Sequence, residues 1–331
     1  MGTLRNALGG ICVAFLLLAV VDVAVRLGFP RSDRLNENFS STYLHREIDA
    51  LRGSSPTVVL GDSALWGYGL PAQRSALSLL RRQGIPNENL SYEGGSPPNT
   101  YAMLRALLRD GVRPRLVVFN VNQKEFNPMD SAYRQLHPSV ERLAWSALDR
   151  SERALLKPTQ PSGSDQALQR IVESTWQLYG MRNDLREWLF GDVDAVHVAQ
   201  GAIERISGTA GRRRAAHRPT AEAFEGTYDL TPLNASDVSF RFLALVADLL
   251  HRNRIPALAI LTPTNHVLLH QYVDTPEYAA NLRASTFLLR SRGIEVLNLD
   301  DAFPGTDFID NDHLNAAGNV RLAKVLRSAL Q

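Results

Sequence analysis

Two short segments near opposite ends of the chain carry side chains that together could form an activated nucleophile. Gly61-Asp62-Ser63 follows a short apolar run, and Asp310-Asn311-Asp312-His313 lies close to the C-terminus. A serine hydroxyl is a poor nucleophile at neutral pH unless a nearby base takes its proton. An imidazole serves as that base when a carboxylate fixes its tautomer and stabilises its charged form. An aspartate three positions before a histidine can converge with it from one loop, so the two segments together predict a nucleophile, a base and an orienting acid.

Short apolar strands and amphipathic helices alternate along most of the chain and would position these residues. The predicted strands cover residues 56–60, 89–92, 115–121, 257–261 and 295–299. The predicted helices cover residues 43–52, 71–83, 99–109, 236–253, 275–292 and 316–330. Asn234 or Ser236 is the predicted N-cap of the fourth helix, and Gly293 is predicted to end the fifth. This alternation predicts an α/β fold in which helices cover both faces of a five-stranded parallel sheet.

The candidate residues all follow predicted strands. Ser63 comes after the first strand, Gly94 after the second, Asn122 after the third, and the loop with Asp310 and His313 after the fifth. In open parallel sheets, active sites form beyond the carboxyl ends of the strands. We therefore expect these residues to meet at one edge of the sheet.

The N-terminus is predicted to lie outside the folded domain. Residues 7–25 are almost wholly apolar, with Asp22 as the only charge, and a bilayer core needs about 20 residues of helix. We therefore divide the chain into an uncleaved membrane anchor (1–29), a polar connector (30–54) and a large domain (55–331) outside the cytoplasm. A cleaved signal peptide, or a helix buried in a partner protein, is the alternative.

A long segment, residues 129–233, interrupts the alternation of strands and helices. It is mostly helical by pattern and contains Trp145, Trp176 and Trp188. Insertions of this size beside an active edge are often lids or substrate platforms. We predict a helical lid here, with a cap that only covers the sheet as the alternative.

The composition argues against nucleic-acid binding and against most metal sites. The net charge is +2 and no basic stripe alternates with aromatic residues. The single cysteine, Cys12, allows neither a disulfide within the chain nor a cysteine-based metal site. Asp310, Asp312 and His313 could bind a metal ion, but no further histidine or glutamate cluster completes a site nearby in sequence. We therefore predict no metal and no cofactor.

The first two of four short blocks resemble the SGNH, or GDSL-type, hydrolase family. Residues 61–69, Gly-Asp-Ser-Ala-Leu-Trp-Gly-Tyr-Gly, look like the family's first block. The second block is a glycine five residues after an asparagine, with serine or threonine two positions further on. Asn89, Gly94 and Ser96 fit this pattern.

The third and last blocks extend the resemblance over residues 56–126 and 255–330. The third is normally Gly-x-Asn-Asp, and only Asn122 matches it, because Asn120 replaces the glycine and Gln123 the aspartate. The last block, Asp-x-x-His-Leu, matches Asp310 and His313, with Leu314 after them. The two departures in the third block bear on substrate more than on chemistry.

The resemblance implies a three-layer, flavodoxin-like α/β/α fold, the SGNH hydrolase fold, and a role for each matching residue. Ser63 would be the nucleophile, His313 the base and Asp310 its orienting acid. The oxyanion hole would combine the amides of Ser63 and Gly94 with the Asn122 side chain. Such preorganised donors stabilise a tetrahedral intermediate. Gly95 is the alternative to Gly94.

The resemblance and the predicted anchor together indicate a serine esterase or O-acyl (acetyl) transferase outside the cytoplasm. Its substrate would be an acylated carbohydrate, such as a cell-surface polysaccharide, or another ester, and a membrane partner would deliver acyl groups. The association with polysaccharide rests on analogy. Two alternatives stay open: a catalytically degenerate binding or assembly component of an envelope polysaccharide machine, and a lipid-directed esterase.

Overall fold

The computed structural model describes residues 13, 16–25, 33–130, 133–159, 176–182, 184–185 and 219–331. The strands are β1 (Thr57–Leu60), β2 (Glu88–Asn89), β3 (Leu116–Val121), β4 (Ala257–Leu261) and β5 (Glu295–Asn298). The helices are α1 (Ser41–Asp49), α2 (Ser63–Trp66), α3 (Ala76–Arg82), α4 (Pro97–Arg109), α5 (Pro138–Ala144), α6 (Arg150–Ala154), α7 (Gln177–Gly180), α8 (Val238–Arg252), α9 (His266–Val273), α10 (Pro276–Arg290) and α11 (Ala316–Ala329). One compact unit, residues 33–37, 48–160 and 213–331, contains the whole sheet, and residues 1–32, 38–47 and 161–212 form a second unit.

The five strands form one parallel sheet in the order β2-β1-β3-β4-β5. This is the strand order of flavodoxin-like sheets, in which the order reverses beside the first strand. The prediction of a five-stranded parallel α/β sheet is therefore confirmed. β2 is shorter than expected, although the amide of Leu90 still donates to the carbonyl of Val59 at 2.9 Å beyond it.

The central strands are buried apart from the first residues of β3 and β4, which explains their apolar, β-branched sequences. Every residue of β1 is buried, as is typical of parallel strands covered on both faces. Val59, Val118 and Ile260 belong to one core cluster. The same cluster includes Leu80 of α3 and Leu326 of α11, so these helices anchor the strand that precedes the first candidate residue.

The N-cap of α8 differs from the sequence prediction. Asn234 and Ser236 were expected as caps, but the cap is Asp237, whose carboxylate accepts the amide of Phe240 at 2.7 Å. Asn234 instead accepts the amide of Ser236 at 2.9 Å within the preceding turn. Three candidate cap residues occur within four positions, and only the approach of the chain to the helix decides which one reaches the open amides.

The end of α10 agrees with expectation, whereas α9 was not predicted. Gly293 has a φ of 77° just after α10, and its amide donates to the carbonyl of Arg290. α9 begins a few residues after β4, with Asn265 as its cap. Its sequence, His-Val-Leu-Leu-His-Gln-Tyr-Val, lacks a clear polar face, so periodicity does not distinguish it from a loop or strand.

Most of the predicted anchor and about half of the predicted lid fall outside the described residues. Of residues 1–29, only 13 and 16–25 are described, and those at 16–25 are helical. No helix in the described ranges is both long and apolar enough to cross a membrane. Of the 129–233 segment, residues 131–132, 160–175, 183 and 186–218 are not described. The anchor and the lid therefore stay predictions.

Candidate active site

Ser63, His313 and Asp310, which lie far apart in sequence, form one continuous chain of hydrogen bonds. The Ser63 hydroxyl oxygen Oγ lies 2.8 Å from Nε2 of His313. Nδ1 of His313 lies 2.9 Å and 2.8 Å from the two carboxylate oxygens of Asp310. Oδ1 of Asp310 also accepts the backbone amides of Asp312 and His313 at 3.2 Å and 3.0 Å. These backbone bonds hold the loop in the turn that lets acid and imidazole converge.

Ser63 is presented by a tight turn between β1 and α2. It is the first residue of α2, and Asp62 caps this helix by accepting the amide of Ala64 at 2.8 Å. Gly67 ends α2 in the left-handed conformation with a φ of 87°. A four-residue helix directly after a buried strand leaves Ser63 at the carboxyl edge of the sheet, as expected for a nucleophile in this fold class.

Asn120, at a position where the resembling family has glycine, packs against the nucleophile turn. Its Oδ1 accepts the amide of Asp62 at 2.9 Å, and its Nδ2 donates to the Asp62 carboxylate at 2.7 Å and to Thr262 at 2.8 Å. A Cβ at Gly61 would lie only 1.8 Å from Oδ1 of Asn120. Asn120 therefore occupies the space beside Gly61 and fixes the turn from the neighbouring strand.

The side chain of Asn122 connects the nucleophile turn with the base loop. Its Nδ2 donates to Oδ2 of Asp62 at 2.9 Å and to Oδ2 of Asp312 at 2.6 Å. An amide nitrogen has two hydrogens, so both are used by carboxylates. The structure brings Asn122 to the predicted place beside the nucleophile, but its amide hydrogens are donated to protein groups rather than left for an oxyanion.

The backbone amides of Ser63 and Gly94 are better placed to serve as donors. Within the described ranges, neither amide donates to a protein acceptor. The amide of Gly95, by contrast, donates to the carbonyl of Tyr92 at 3.2 Å. A Cβ at Gly95 would lie 2.2 Å from the carbonyl oxygen of Gly61. Gly95 is therefore needed for close backbone packing, and these contacts favour Gly94 over Gly95 as the oxyanion donor.

Sequence reasoning missed a buried ion pair beneath the imidazole. Nζ of Lys124 lies 2.5 Å from Oδ2 of Asp312, whose side chain is 0% exposed. Burial by itself would raise the pKa of Asp312, but the charges of Lys124 and His313 outweigh burial and hold it below its ordinary value. Asp312 also raises the pKa of Lys124, against the lowering effect of burial. The only sequence signal was a lysine two positions after Asn122.

The imidazole of His313 is enclosed by charge and by an aromatic ring. Burial by itself would lower the pKa of His313, but the charges of Asp312 and Asp310 outweigh it and raise the pKa above 6.5. The ring of Tyr68 lies against the imidazole, with centroids 4.3 Å apart and the planes inclined by 32°. Tyr68 therefore limits the tilt of the base, another contact that the sequence did not reveal.

Two further side chains after β3 are buried beside this network. Burial, reinforced by the charge of Asp62, raises the pKa of Glu125 well above its ordinary value. The protonated form is thereby favoured, and it can donate a hydrogen bond to Asp62. Gln123 is 2% exposed. Neither polar atom of its side chain has a hydrogen-bond partner among the described residues.

Asp310, Asp312 and His313 offer three metal-ligand atoms within 4.8 Å of one another. However, Nδ1 of His313 bonds to Asp310, and one oxygen of Asp312 binds Lys124. Hydrogen bonding and ion pairing thus already account for the cluster, and a buried lysine beside it opposes a cation. These residues fit an acid–base role better than a metal site.

An open groove of about 460 Å³ borders the acid of this site. Asp310 lines it together with apolar side chains that include Val267, Phe308 and Ile309. Val267 is 76% exposed. Neither Ser63 nor His313 is among the residues that line it.

Comparisons with known proteins leave the family open. No protein-family model matches the chain, and no curated protein does either. One similar solved structure is a protein described as lipolytic, of the G-D-S-L family, from Desulfitobacterium hafniense DCB-2. It has 12% identity and a TM-score of 0.38 and covers 84% of this chain and 100% of that one. Another is LAE5, an alpha/beta hydrolase enzyme from the metagenome of Lake Arreo, Spain, with 11% identity, a TM-score of 0.39, and coverage of 86% and 97%. Similarities this low carry no argument, so the function must be argued from the site itself.

Proposed function

We propose that this chain is a serine esterase or O-acyl transferase that acts outside the cytoplasm on ester-linked acyl groups, those of a cell-surface polysaccharide in particular. The observation that carries the proposal is the hydrogen-bonded chain from Ser63 through His313 to Asp310. Oγ of Ser63 lies 2.8 Å from Nε2 of His313, and Nδ1 of His313 lies 2.8 Å from Oδ2 of Asp310. Nucleophile, base and orienting group within such distances are the geometric signature of an activated serine.

The proposed reaction uses each of these groups in turn. His313 takes the proton of Ser63 through Nε2 while Oγ attacks the ester carbonyl carbon. The amides of Ser63 and Gly94 would donate to the resulting oxyanion. His313 then gives its proton to the departing alkoxide, which leaves an acyl-enzyme on Ser63.

The second half of the reaction decides between hydrolysis and transfer. His313 takes a proton from the incoming hydroxyl as its oxygen attacks the acyl carbon, and then gives that proton to Oγ of Ser63 as the ester bond to Ser63 breaks. Water as acceptor completes hydrolysis, and a sugar hydroxyl completes transfer. An N-terminal anchor would keep the enzyme beside a membrane partner that supplies acyl groups.

One observation favours a second function, in which the chain binds polysaccharide without turning it over. Both amide hydrogens of Asn122 are donated to carboxylates. An oxyanion hole restricted to two backbone amides would be weaker, because the loss of one donor typically costs about 2.7–4 kcal/mol of transition-state stabilisation.

Covalent labelling of the full-length protein with a fluorophosphonate tests the proposal. We expect intact-mass analysis to show one adduct, which is absent in Ser63→Ala and His313→Ala. Ser151→Ala is the matched control, since this serine is exposed and its hydroxyl donates to Asp149 within its own helix cap. No adduct on the native protein, or an adduct that survives Ser63→Ala, would contradict the proposal and favour the binding function.

A further inference from the structure

The two carboxylate oxygens of Asp312 have different surroundings. Oδ2 is bound by Nζ of Lys124 at 2.5 Å and by Nδ2 of Asn122 at 2.6 Å. Oδ1 is buried and has no hydrogen-bond donor among the described residues. A buried carboxylate oxygen without a hydrogen-bond donor lowers the stability of the folded protein. Its presence here therefore indicates a functional role.

The unpaired oxygen faces the base. Oδ1 of Asp312 lies 3.5 Å from Nδ1 of His313, whereas Asp310 approaches the same nitrogen at 2.8 Å. Asp310 therefore holds the hydrogen bond that fixes the imidazole, and Asp312 contributes a second negative charge on the same side. Because Lys124 and Asn122 hold Oδ2, the carboxylate cannot easily turn Oδ1 away.

We propose that Asp312 is a positioning residue that acts through His313: Lys124 and Asn122 hold its carboxylate so that its free oxygen stabilises the imidazolium formed when Ser63 loses its proton. The inference rests on the proposed function, because it assigns a second acid to the same site. It gives Lys124 and Asn122 a shared task, that of holding the second acid.

Several charged groups from different elements act on His313. Asp310 and Asp312 come from its own loop and favour the protonated imidazole, whereas Lys124, after β3, opposes it. Glu93, after β2, interacts with the imidazole as well, since His313 lowers the pKa of that carboxyl against the raising effect of its burial.

A further neighbour of the imidazole is the ring of Tyr68, which lies against it. The pKa of Tyr68 is raised, chiefly by Glu93, so this tyrosine stays neutral near pH 7. The charge of Asp312 is the largest single effect that favours the charged form of His313, followed by the hydrogen bond to Asp310 and the charge of Asp310.

The test follows the protonation of His313 directly, by NMR of the full-length protein with ¹³C-labelled histidines. The chain has eight histidines, and the signal of His313 is identified as the one that is missing from the spectrum of His313→Gln. In Asp312→Asn we expect the titration midpoint of His313 to move to lower pH by about one unit or more, as is usual when an opposite charge within about 6 Å is lost. We also expect the fluorophosphonate inactivation rate at its high-pH plateau to fall about tenfold or more.

A second variant tests the inference in case Asp312→Asn does not fold. Asp312→Asn leaves Lys124 buried without its partner, so Lys124→Met/Asp312→Asn removes both charges and should fold more readily. Its midpoint should also move to lower pH, though by less, because Lys124 partly opposed Asp312. Asp248→Asn is the control for net charge. Asp248 is 40% exposed and pairs with Arg292. Arg292 precedes β5, so the pair lies at the amino ends of the strands, away from the candidate site at their carboxyl ends.

The outcomes separate this inference from the proposed function. An unchanged His313 midpoint in both Asp312 variants would overturn the inference, even if the native protein reacts with the fluorophosphonate. A lowered midpoint in a protein that forms no adduct would support the electrostatic role of Asp312 while the proposed function failed. A purely structural Asp312 would reduce stability without moving the midpoint.

Discussion

At the scale of single residues, the hydrogen-bond and ion-pair partners of a side chain decide which role it can take in the site. Asn122 is the residue type expected for an oxyanion hole, yet its two amide hydrogens go to Asp62 and Asp312. Asp312 carries the same carboxylate as Asp310, yet it lies farther from Nδ1 of His313, at 3.5 Å, and pairs with Lys124. In each case the chemistry available to a side chain depends on which of its atoms are already bonded.

The raised pKa of His313 predicts how the reactivity of Ser63 depends on pH. Only the neutral imidazole can take the proton of Ser63, so reactivity is full above the folded pKa and is lost as the pH falls through it. Because that pKa is raised above 6.5, the fluorophosphonate inactivation rate of the full-length protein should reach half its maximum above pH 6.5. A rate that stays constant from pH 5 to 8 would argue against a histidine base.

At the scale of elements, the site is assembled from the carboxyl ends of adjacent strands. β1 ends at the nucleophile turn and β3 leads directly into Asn122 and Lys124. β1 and β3 are paired along their length, with Val59 opposite Val118. Asn120 on β3 can therefore reach Asp62 beyond the end of β1, and the register of two strands sets the geometry of the nucleophile.

Gly61 shows how strongly this junction depends on backbone space. Its φ is 131°, and a Cβ would collide with Asn120. We expect Gly61→Ala to lower the free energy of unfolding by more than about 2 kcal/mol and to reduce labelling of Ser63. Gly84→Ala is the control, because Gly84 also has a positive φ, 83°, but nothing lies within 4 Å of its Cβ position. Gly84→Ala should lower the free energy of unfolding by only about 1–2 kcal/mol. If urea unfolding showed the same loss of stability for both variants, the role given to Asn120 would be wrong.

At the scale of the whole molecule, the chain contains the unit that holds the candidate site and an apolar N-terminal segment. The sheet and the candidate site lie within one compact unit, residues 33–37, 48–160 and 213–331. The apolar residues 7–25 are long enough for a bilayer span of about 20 residues. Anchoring would place the reaction at a membrane surface, where acyl donors and envelope polysaccharides can meet.

Membrane extraction tests this arrangement. We expect the full-length protein to stay in the membrane pellet after an alkaline carbonate wash, because burial of the apolar segment does not depend on ionic contacts. A chain that begins at residue 30 should move to the soluble fraction and still form the fluorophosphonate adduct. Recovery of the full-length protein in the wash would show that residues 1–29 do not anchor it.

The sequence by itself determined the α/β class, the number of strands and the residues that gather at the carboxyl edge of the sheet. It could do so because buried parallel strands need apolar, β-branched runs, and because strand ends meet at one edge whatever the details of packing. The convergence of Asp310 and His313 was likewise predictable, because side chains three positions apart can meet within one loop. Helix ends were less predictable, as Asp237 shows, since competing caps differ only in how the chain approaches the helix.

Only the tertiary structure decided how these residues are partnered. Lys124 meets Asp312, and Asn122 meets Asp62, across gaps of 188 and 60 positions in the sequence. Such contacts depend on strand register, on the depth of burial and on the direction of each side chain, and no local pattern encodes these. The sequence therefore indicates a serine, a histidine and an acid, whereas the fold shows a second carboxylate beside the base and the lysine and asparagine that hold it there.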